Sequence, residues 1–125
     1  MKITLVTGNS AKIAQAKEFL EPKGITIDNV KIDTIEIQAD SVEEVAKYSA
    51  KWASEKLKTN VVKNDTGIMI DALGGFPGPY THYVQDTIGE DAILKLMKGV
   101  KNRKAKFVQA LAFVNMVVIL YHLFL

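Results

Sequence analysis

The sequence predicts an α/β layered domain, and two observations support that prediction. Segments typical of strands alternate with segments typical of helices along most of the chain. The 125 residues are 48% hydrophobic and 24% charged, which is the balance of a packed globular domain. Because residues 1–125 contain no visible internal repeat, low-complexity tract or linker, we expect one domain.

The first two elements are a strand and a helix. Residues 2–7 contain β-forming side chains and predict a strand that Gly8 ends. The apolar spacing over residues 10–20 predicts a helix, with Asn9 or Ser10 as its N-cap and Pro22 beyond its end.

A second strand–helix pair follows. Residues 25–37 predict extended chain, as one or two short strands, because isoleucines recur there with a spacing of two. Ser41 and Glu44 have the spacing of a capping box, and an apolar stripe behind them predicts a helix to about Lys58.

The following segment returns to extended chain. Residues 60–62 and 68–70 predict strand, with an interruption at residues 64–67 where Asn, Asp and Gly favour a turn. Residues 73–80 are rich in glycine and proline and predict a rigid loop. Residues 90–98 predict a short helix that is acidic at its start and basic at its end.

The end of the chain is unusually apolar. Residues 107–125 carry no Asp, Glu, Lys or Arg, so they meet the length criterion for a membrane span. The same residues are rich in β-formers, which favours strands over a membrane segment. We therefore expect an atypical apolar tail of strand character.

Composition excludes several classes of protein. Without cysteine there is no disulfide, cysteine-ligated metal or thiol nucleophile. A net charge of +2 and basic residues without interleaved aromatics argue against nucleic-acid binding. The first residues lack the pattern of a secretory signal, so we expect a cytoplasmic protein without a membrane partner.

The first strand–helix corner could bind an anion. In Thr7-Gly8-Asn9-Ser10-Ala11-Lys12, glycine permits close approach of a ligand, the helix start offers N–H groups, and Lys12 adds positive charge. The spacing is not that of a P-loop. An ordinary turn with a surface lysine remains the alternative.

Two acids are candidate metal ligands. Alternation places Glu36 opposite its apolar neighbours, so a solvent-facing residue is the alternative. Asp65 lies beside glycine in an interrupted strand, where a turn former is the alternative. If the two converge, they could hold Mg²⁺ together with substrate phosphates.

Taken together, the motifs resemble the inosine triphosphate pyrophosphatase family. The likeness runs from residue 2 to about Val114. It rests on four ordered motifs: Thr7-Gly8-Asn9-x-x-Lys12, Ile32-Asp33-x-x-Glu36-x-Gln38, Asn64-Asp65-Thr66-Gly67 and Asp71-Ala72-Leu73-Gly74-Gly75-Phe76-Pro77-Gly78-Pro79-Tyr80.

The resemblance implies an elongated mixed sheet flanked by helices, two lobes with a cleft, and a homodimer. It implies Mg²⁺-dependent hydrolysis of ITP, dITP and XTP to the monophosphate and pyrophosphate. The implied roles are triphosphate binding for Thr7, Gly8, Asn9 and Lys12, metal binding for Glu36 and Asp65, water activation for Asp65, and substrate contact for Thr66 and Gly67.

Two departures from the family pattern matter. The later Gly-aromatic-Gly-aromatic-Asp-Pro and Ser-His-Arg segments are absent, so the likeness implies a C-terminally truncated member without much of the purine pocket. His82 stands where the family tends to have Arg or Lys. A domain that keeps the scaffold or triphosphate binding without turnover is therefore the alternative function.

Overall fold

A five-stranded mixed sheet organises the chain. The computed structural model describes residues 1–115, and residues 119–124 by their backbone alone. The strands are β1 (Lys2–Val6), β2 (Thr26–Val30), β3 (Val61–Ile70), β4 (Ala105–Val114) and β5 (Ile119–Phe124), and the helices are α1 (Ser10–Leu20), α2 (Val42–Leu57), α3 (Thr81–Thr87) and α4 (Gly89–Leu96). The predicted α/β fold class is confirmed.

The strand order is β2-β1-β3-β4-β5. β1 pairs in parallel with β2 on one side and with β3 on the other, whereas β4 runs antiparallel to β3 and to β5. After β1 the chain forms β2 on one side of β1, and it later forms β3 on the other side. Such a reversal leaves a crevice at the carboxyl ends of the parallel strands.

Each face of the sheet carries a helix over an apolar cluster. On one face, residues of α1, including Ile13, pack against Ile3, Leu5 and Ile27. On the other face, α2 packs on a larger cluster, whose buried members are Val6, Val42, Ala46, Ala50, Ala53, Val61, Ala110, Ala112 and Val114. The small side chains of α2 let this helix lie close to β3 and β4.

The first two helices agree with the sequence predictions. Helix α1 spans the predicted residues, and Asn9 is its N-cap. Helix α2 begins after Ser41, whose hydroxyl oxygen accepts a hydrogen bond from the N–H of Glu44 at 3.2 Å. Both starts were predictable because capping is a local interaction between residues two or three apart.

Two local predictions need correction, and one helix was missed. β3 is continuous through residues 64–67, because each of its residues pairs with β4 from Val61 opposite Val114 to Ile70 opposite Ala105. Of residues 25–37, only 26–30 form a strand, and residues 31–39 lack regular structure. Helix α3 was not anticipated, and the predicted helix at 90–98 is α4, Gly89–Leu96.

The apolar tail enters the sheet as two strands where it is described. β4 ends at Val114, and β5 pairs with it from Ile119 opposite Val114 to Phe124 opposite Gln109. Residues 116–118 and 125, on which part of the tail prediction falls, lie outside the described residues. Within the described part of the chain, no helix has the length and apolar character to cross a bilayer.

Candidate active site

A polar pocket of about 420 Å³ lies at the carboxyl end of β1, beside the middle of β3. Its walls come from the β1–α1 corner, the 31–39 segment, the middle of β3, and α3. The lining residues are Thr7, Asn9, Lys12, Glu36, Lys63, Asn64, Asp65, Thr66, Thr81, His82, Gln85 and Phe107. Six predicted site residues, separate in sequence, therefore line one pocket.

The β1–α1 corner is held by its own side chains. The Asn9 side-chain oxygen accepts hydrogen bonds from the N–H groups of Ala11 and Lys12, at 3.0 and 3.3 Å. The Asn9 N–H donates to the Thr7 hydroxyl at 3.1 Å. The expectation that the first turn of α1 offers its N–H groups to an anion is thus only partly met, since Asn9 occupies two of them.

Lys12 bridges α1 and β3. Its Nζ donates to the Asn64 side-chain oxygen at 3.2 Å. Burial, then the positive charge of Lys63, lowers the pKa of Lys12, while the Asp65 carboxylate opposes that change. The ammonium group is therefore placed beside an acid and a second cation in a partly desolvated pocket, where its field on an anion is strong.

Glu36 reaches the pocket on an irregular segment anchored to α2. The buried Ser49 donates its hydroxyl to the carbonyl of Ile35 at 2.8 Å. Glu36 itself is solvent-exposed, yet it lines the polar pocket. Its predicted place on a strand was wrong. Its exposure agrees with the sequence analysis, but Ile35 is exposed as well, so the expected alternation of faces does not hold.

Asp65 lies within β3, beyond the point where β1 ends. Its Oδ2 atom is buried and has no hydrogen-bond partner within the described residues. Burial, followed by the negative charge of Glu36, raises the pKa of Asp65 to about 6. A hydrogen bond from the Thr66 N–H and the charges of Lys63 and Lys12 oppose that rise.

The two acids fit a hard divalent cation. An unpartnered buried carboxylate oxygen lacks a cation or donor that would offset its desolvation. In the part of the chain that is described, no group of three or more His, Cys, Asp or Glu side chains could hold a metal by itself. Two carboxylates suit Mg²⁺, which keeps several waters and takes its remaining ligands from substrate phosphates.

The two glycines predicted at the site do not line the pocket. A Cβ on Gly67 would overlap the carbonyl oxygen of Gly78, so glycine is required there for the 71–80 loop to lie against β3. Thr81 secures the same contact, because its hydroxyl accepts from the Ile68 N–H at 2.9 Å and donates to the Gly78 carbonyl at 2.7 Å. A Cβ on Gly8 would touch the Lys31 side chain.

A larger aromatic pocket adjoins the polar one. It has a volume of about 690 Å³ and shares Glu36, Asp65 and His82 with the polar pocket. Its remaining lining is mainly apolar and aromatic: Ile37, Gln38, Val45, Phe76, Pro79, Tyr80, Tyr83, Val84, Thr87 and Ile88. His82 pairs with Asp86 one helical turn later, at 3.1 Å.

Sequence reasoning missed several residues of the polar pocket, above all Lys63 and Thr81. Lys63 lies two residues before Asp65, and alternation along a strand would have placed both on one face. That signal was obscured because Asn64-Asp65-Thr66-Gly67 favoured a turn over continuous strand.

The sheet topology and the acid–lysine pocket define a mixed α/β protein with a ligand crevice at a topological switch point. The chain belongs to the Ham1 family, whose sequence model matches residues 3–122. It is 46% identical over 113 residues to a dITP/XTP pyrophosphatase of Methanopyrus kandleri, and 43% identical over 113 residues to one of Thermococcus kodakarensis.

These alignments cover 90% of this chain but about 60% of each relative, so the chain spans less than two-thirds of their length. Among solved structures, a HAM1 protein from Coxiella burnetii matches with a TM-score of 0.84 and 21% identity, covering 98% of this chain and 69% of that one. A dITP/XTP pyrophosphatase from Mycobacterium abscessus matches with a TM-score of 0.79 and 24% identity, covering 98% and 72%. These structural matches establish the fold.

Proposed function

We propose that this chain hydrolyses purine nucleoside triphosphates such as ITP, dITP and XTP to the monophosphate and pyrophosphate, with Mg²⁺. The observation that carries the proposal is the buried, unpartnered Oδ2 of Asp65, in one pocket with Glu36 and Lys12. The family membership and the names of the relatives support the same reaction class.

Each side chain has a role that its chemistry suits. Thr7, Asn9 and Lys12, with the backbone at Gly8, would bind the triphosphate. Glu36 and Asp65 would hold Mg²⁺, which would supply positive charge against the phosphate oxygens. Lys12 would stabilise the charge that develops on the departing pyrophosphate.

Asp65 would also orient and deprotonate the attacking water. A carboxylate within hydrogen-bond reach of a water can orient it and accept its proton. The Oδ2 atom of Asp65 accepts no hydrogen bond among the described residues, so it is available to such a water. Thr66, exposed in the pocket, would contact the substrate from the same strand, whereas Gly67 packs against the Gly78 carbonyl and would support the strand there.

Binding of the nucleoside part of the substrate is proposed from the second pocket. The aromatic pocket is lined by Glu36 and Asp65 and also by Phe76, Tyr80 and Tyr83, whose rings could stack on a planar base. By removing such triphosphates, the chain would prevent their incorporation into nucleic acids. We further propose that it acts in the cytoplasm as a homodimer, as the family resemblance implies, without a nucleic-acid or membrane partner.

The direct test is incubation of the full chain with ITP and Mg²⁺, followed by detection of pyrophosphate. We expect release to fall by about a hundredfold or more in Lys12→Ala, since groups that stabilise transition-state charge contribute on that order. Lys51→Met, on the exposed side of α2, is the matched control and should retain full activity. Equal release from wild type and Lys12→Ala would refute the assignment.

A second candidate function is triphosphate binding without turnover. It would require only the polar pocket, which Lys12 lines together with Glu36 and Asp65. Calorimetry separates the two functions: measurable ITP binding that depends on Lys12, with no pyrophosphate release, would select the binding function.

A further inference from the structure

Lys63 is a charged residue of the polar pocket to which none of the motifs assigns a role. We propose that Lys63 is a second polyphosphate-binding cation, which acts from β3 together with Lys12 on α1. The inference rests on the proposed function, because it identifies a further residue of the same site.

The strand geometry places Lys63 in the pocket. It lies two residues before Asp65 on β3, a separation of about 6–7 Å along a strand, so both side chains leave the same face of the sheet. Opposite Lys63 on β4 is Ala112, whose small side chain leaves the lysine room. Lys12 enters the pocket from α1, on a different element.

The surroundings leave Lys63 available to a ligand. Lys63 is only half-buried, and across residues 1–115 it makes no ion pair within 4.0 Å. The nearest acid along the strand, Asp65, accepts its hydrogen bond from the Thr66 N–H. A lysine with a flexible stem and three donors can therefore turn towards an anion in the pocket.

The charges of the pocket point to the same role. The positive charge of Lys63 lowers the pKa of Lys12 as well as that of Asp65, so the three groups lie within electrostatic reach of one another. Two neighbouring cations repel each other in a partly desolvated pocket. An anion bound between them would remove that repulsion, and its own desolvation would be offset by two positive charges.

A polyphosphate has the shape for two separate contacts. A nucleoside triphosphate carries about four negative charges along a chain of three phosphoryl groups, and Mg²⁺ beside two carboxylates neutralises only part of them. Lys12 and Lys63, held on α1 and β3, could bind different phosphoryl groups of one chain. The site would then bind the polyphosphate independently of the base.

The test is calorimetry of the full chain with inorganic tripolyphosphate and Mg²⁺. We expect Lys63→Met to bind about tenfold more weakly than wild type, which is typical for loss of one charge-assisted contact, and Lys63→Arg to retain most of the affinity. Lys51→Met, an exposed lysine on α2, should bind as wild type does. Because the lost contact is ionic, the difference should shrink as salt is raised.

Thermal unfolding of each variant separates loss of binding from loss of structure. If the affinity of Lys63→Met for tripolyphosphate is within about twofold of the wild-type affinity, the inference is wrong. That result would not bear on the proposed hydrolysis. Failure of Lys63→Arg to retain affinity, or no binding by wild type, would overturn the inference equally. Lys63-dependent binding without ITP hydrolysis would keep this inference and reject the proposed activity.

Discussion

Replacing Asp65 by Asn should make the protein more stable at neutral pH. The carboxylate is half-buried, its Oδ2 has no partner among the described residues, and Glu36 adds a like charge. Asn fills nearly the same volume without the negative charge. We therefore expect Asp65→Asn to remove an unfavourable charge while leaving the packing of β3 intact.

The direction of this change in stability follows from the raised pKa of Asp65. The pKa of Asp65 rises from 3.8 to about 6 on folding, so between those pH values the folded chain holds a proton that the unfolded chain has lost. Stability is thus highest below pH 3.8 for this group and falls as pH rises through about 6. Above that pH the charged carboxylate destabilises the folded chain by its full amount. Asp65→Asn should therefore increase the free energy of unfolding there.

The magnitude follows from the same values. A rise from 3.8 to about 6 corresponds to roughly 3 kcal/mol at about 1.36 kcal/mol per pKa unit. Because Asp65 is only partly buried, solvent screens part of that effect. We expect a gain in the free energy of unfolding of about 1–2 kcal/mol at pH 7.5, and almost none at pH 4.

Urea denaturation followed by the fluorescence of Trp52, the single tryptophan, provides the assay. The difference between Asp65→Asn and wild type is measured from pH 4 to pH 8. Asp33→Asn, an exposed acid outside both pockets, is the matched control and should show little difference. A variant no more stable than wild type at pH 7.5, or a difference that does not change with pH, would refute the reasoning.

Two further predictions concern the supports of the site. Gly67→Ala should destabilise the chain by about 1–3 kcal/mol, the usual effect of overpacking, since its methyl would overlap the Gly78 carbonyl; an unchanged melting temperature would contradict this. Ser49→Ala should cost about 1 kcal/mol and weaken Mg²⁺-dependent stabilisation, because it releases the segment that carries Glu36. Ser54→Ala is the control, because it removes a similar buried hydroxyl bond outside the pocket. It should lower the free energy of unfolding by about as much without changing the stabilisation by Mg²⁺. An equal response to Mg²⁺ in both variants would argue against the anchoring role of Ser49.

Local signals account for the elements that the sequence predicted well. Asn9 and Ser41 mark the starts of α1 and α2 because each side chain bonds to N–H groups within three residues. The continuous strand β3 could not be predicted from local signals. Its polar stretch at residues 64–67 favours a turn locally, but ten consecutive pairs with β4 hold it extended.

The site was predictable in residue type more than in position. Carboxylates and a lysine beside glycine indicated phosphate and metal chemistry, and the pocket brings Lys12, Glu36 and Asp65 together. Their convergence depends on the order of strands and on the Ser49 bond that places the 31–39 segment, and both are tertiary features. Lys63 was missed because the turn expected at residues 64–67 obscured its place on the same face of β3 as Asp65.

The pocket exists because two neighbouring strands differ in length. β1 pairs with β3 only at Thr4 opposite Val61 and Leu5 opposite Val62, and then turns into α1. β3 continues for eight more residues beside β4 alone, so the edge that β1 would have covered faces the α1 corner. Polar side chains are tolerated there because they line a pocket that a ligand can enter. The unfavourable charge of Asp65 and the neighbouring charges of Lys12 and Lys63 therefore occur in one pocket, and a ligand that carries both a cation and an anion, such as a magnesium-bound polyphosphate, would stabilise the fold as it binds.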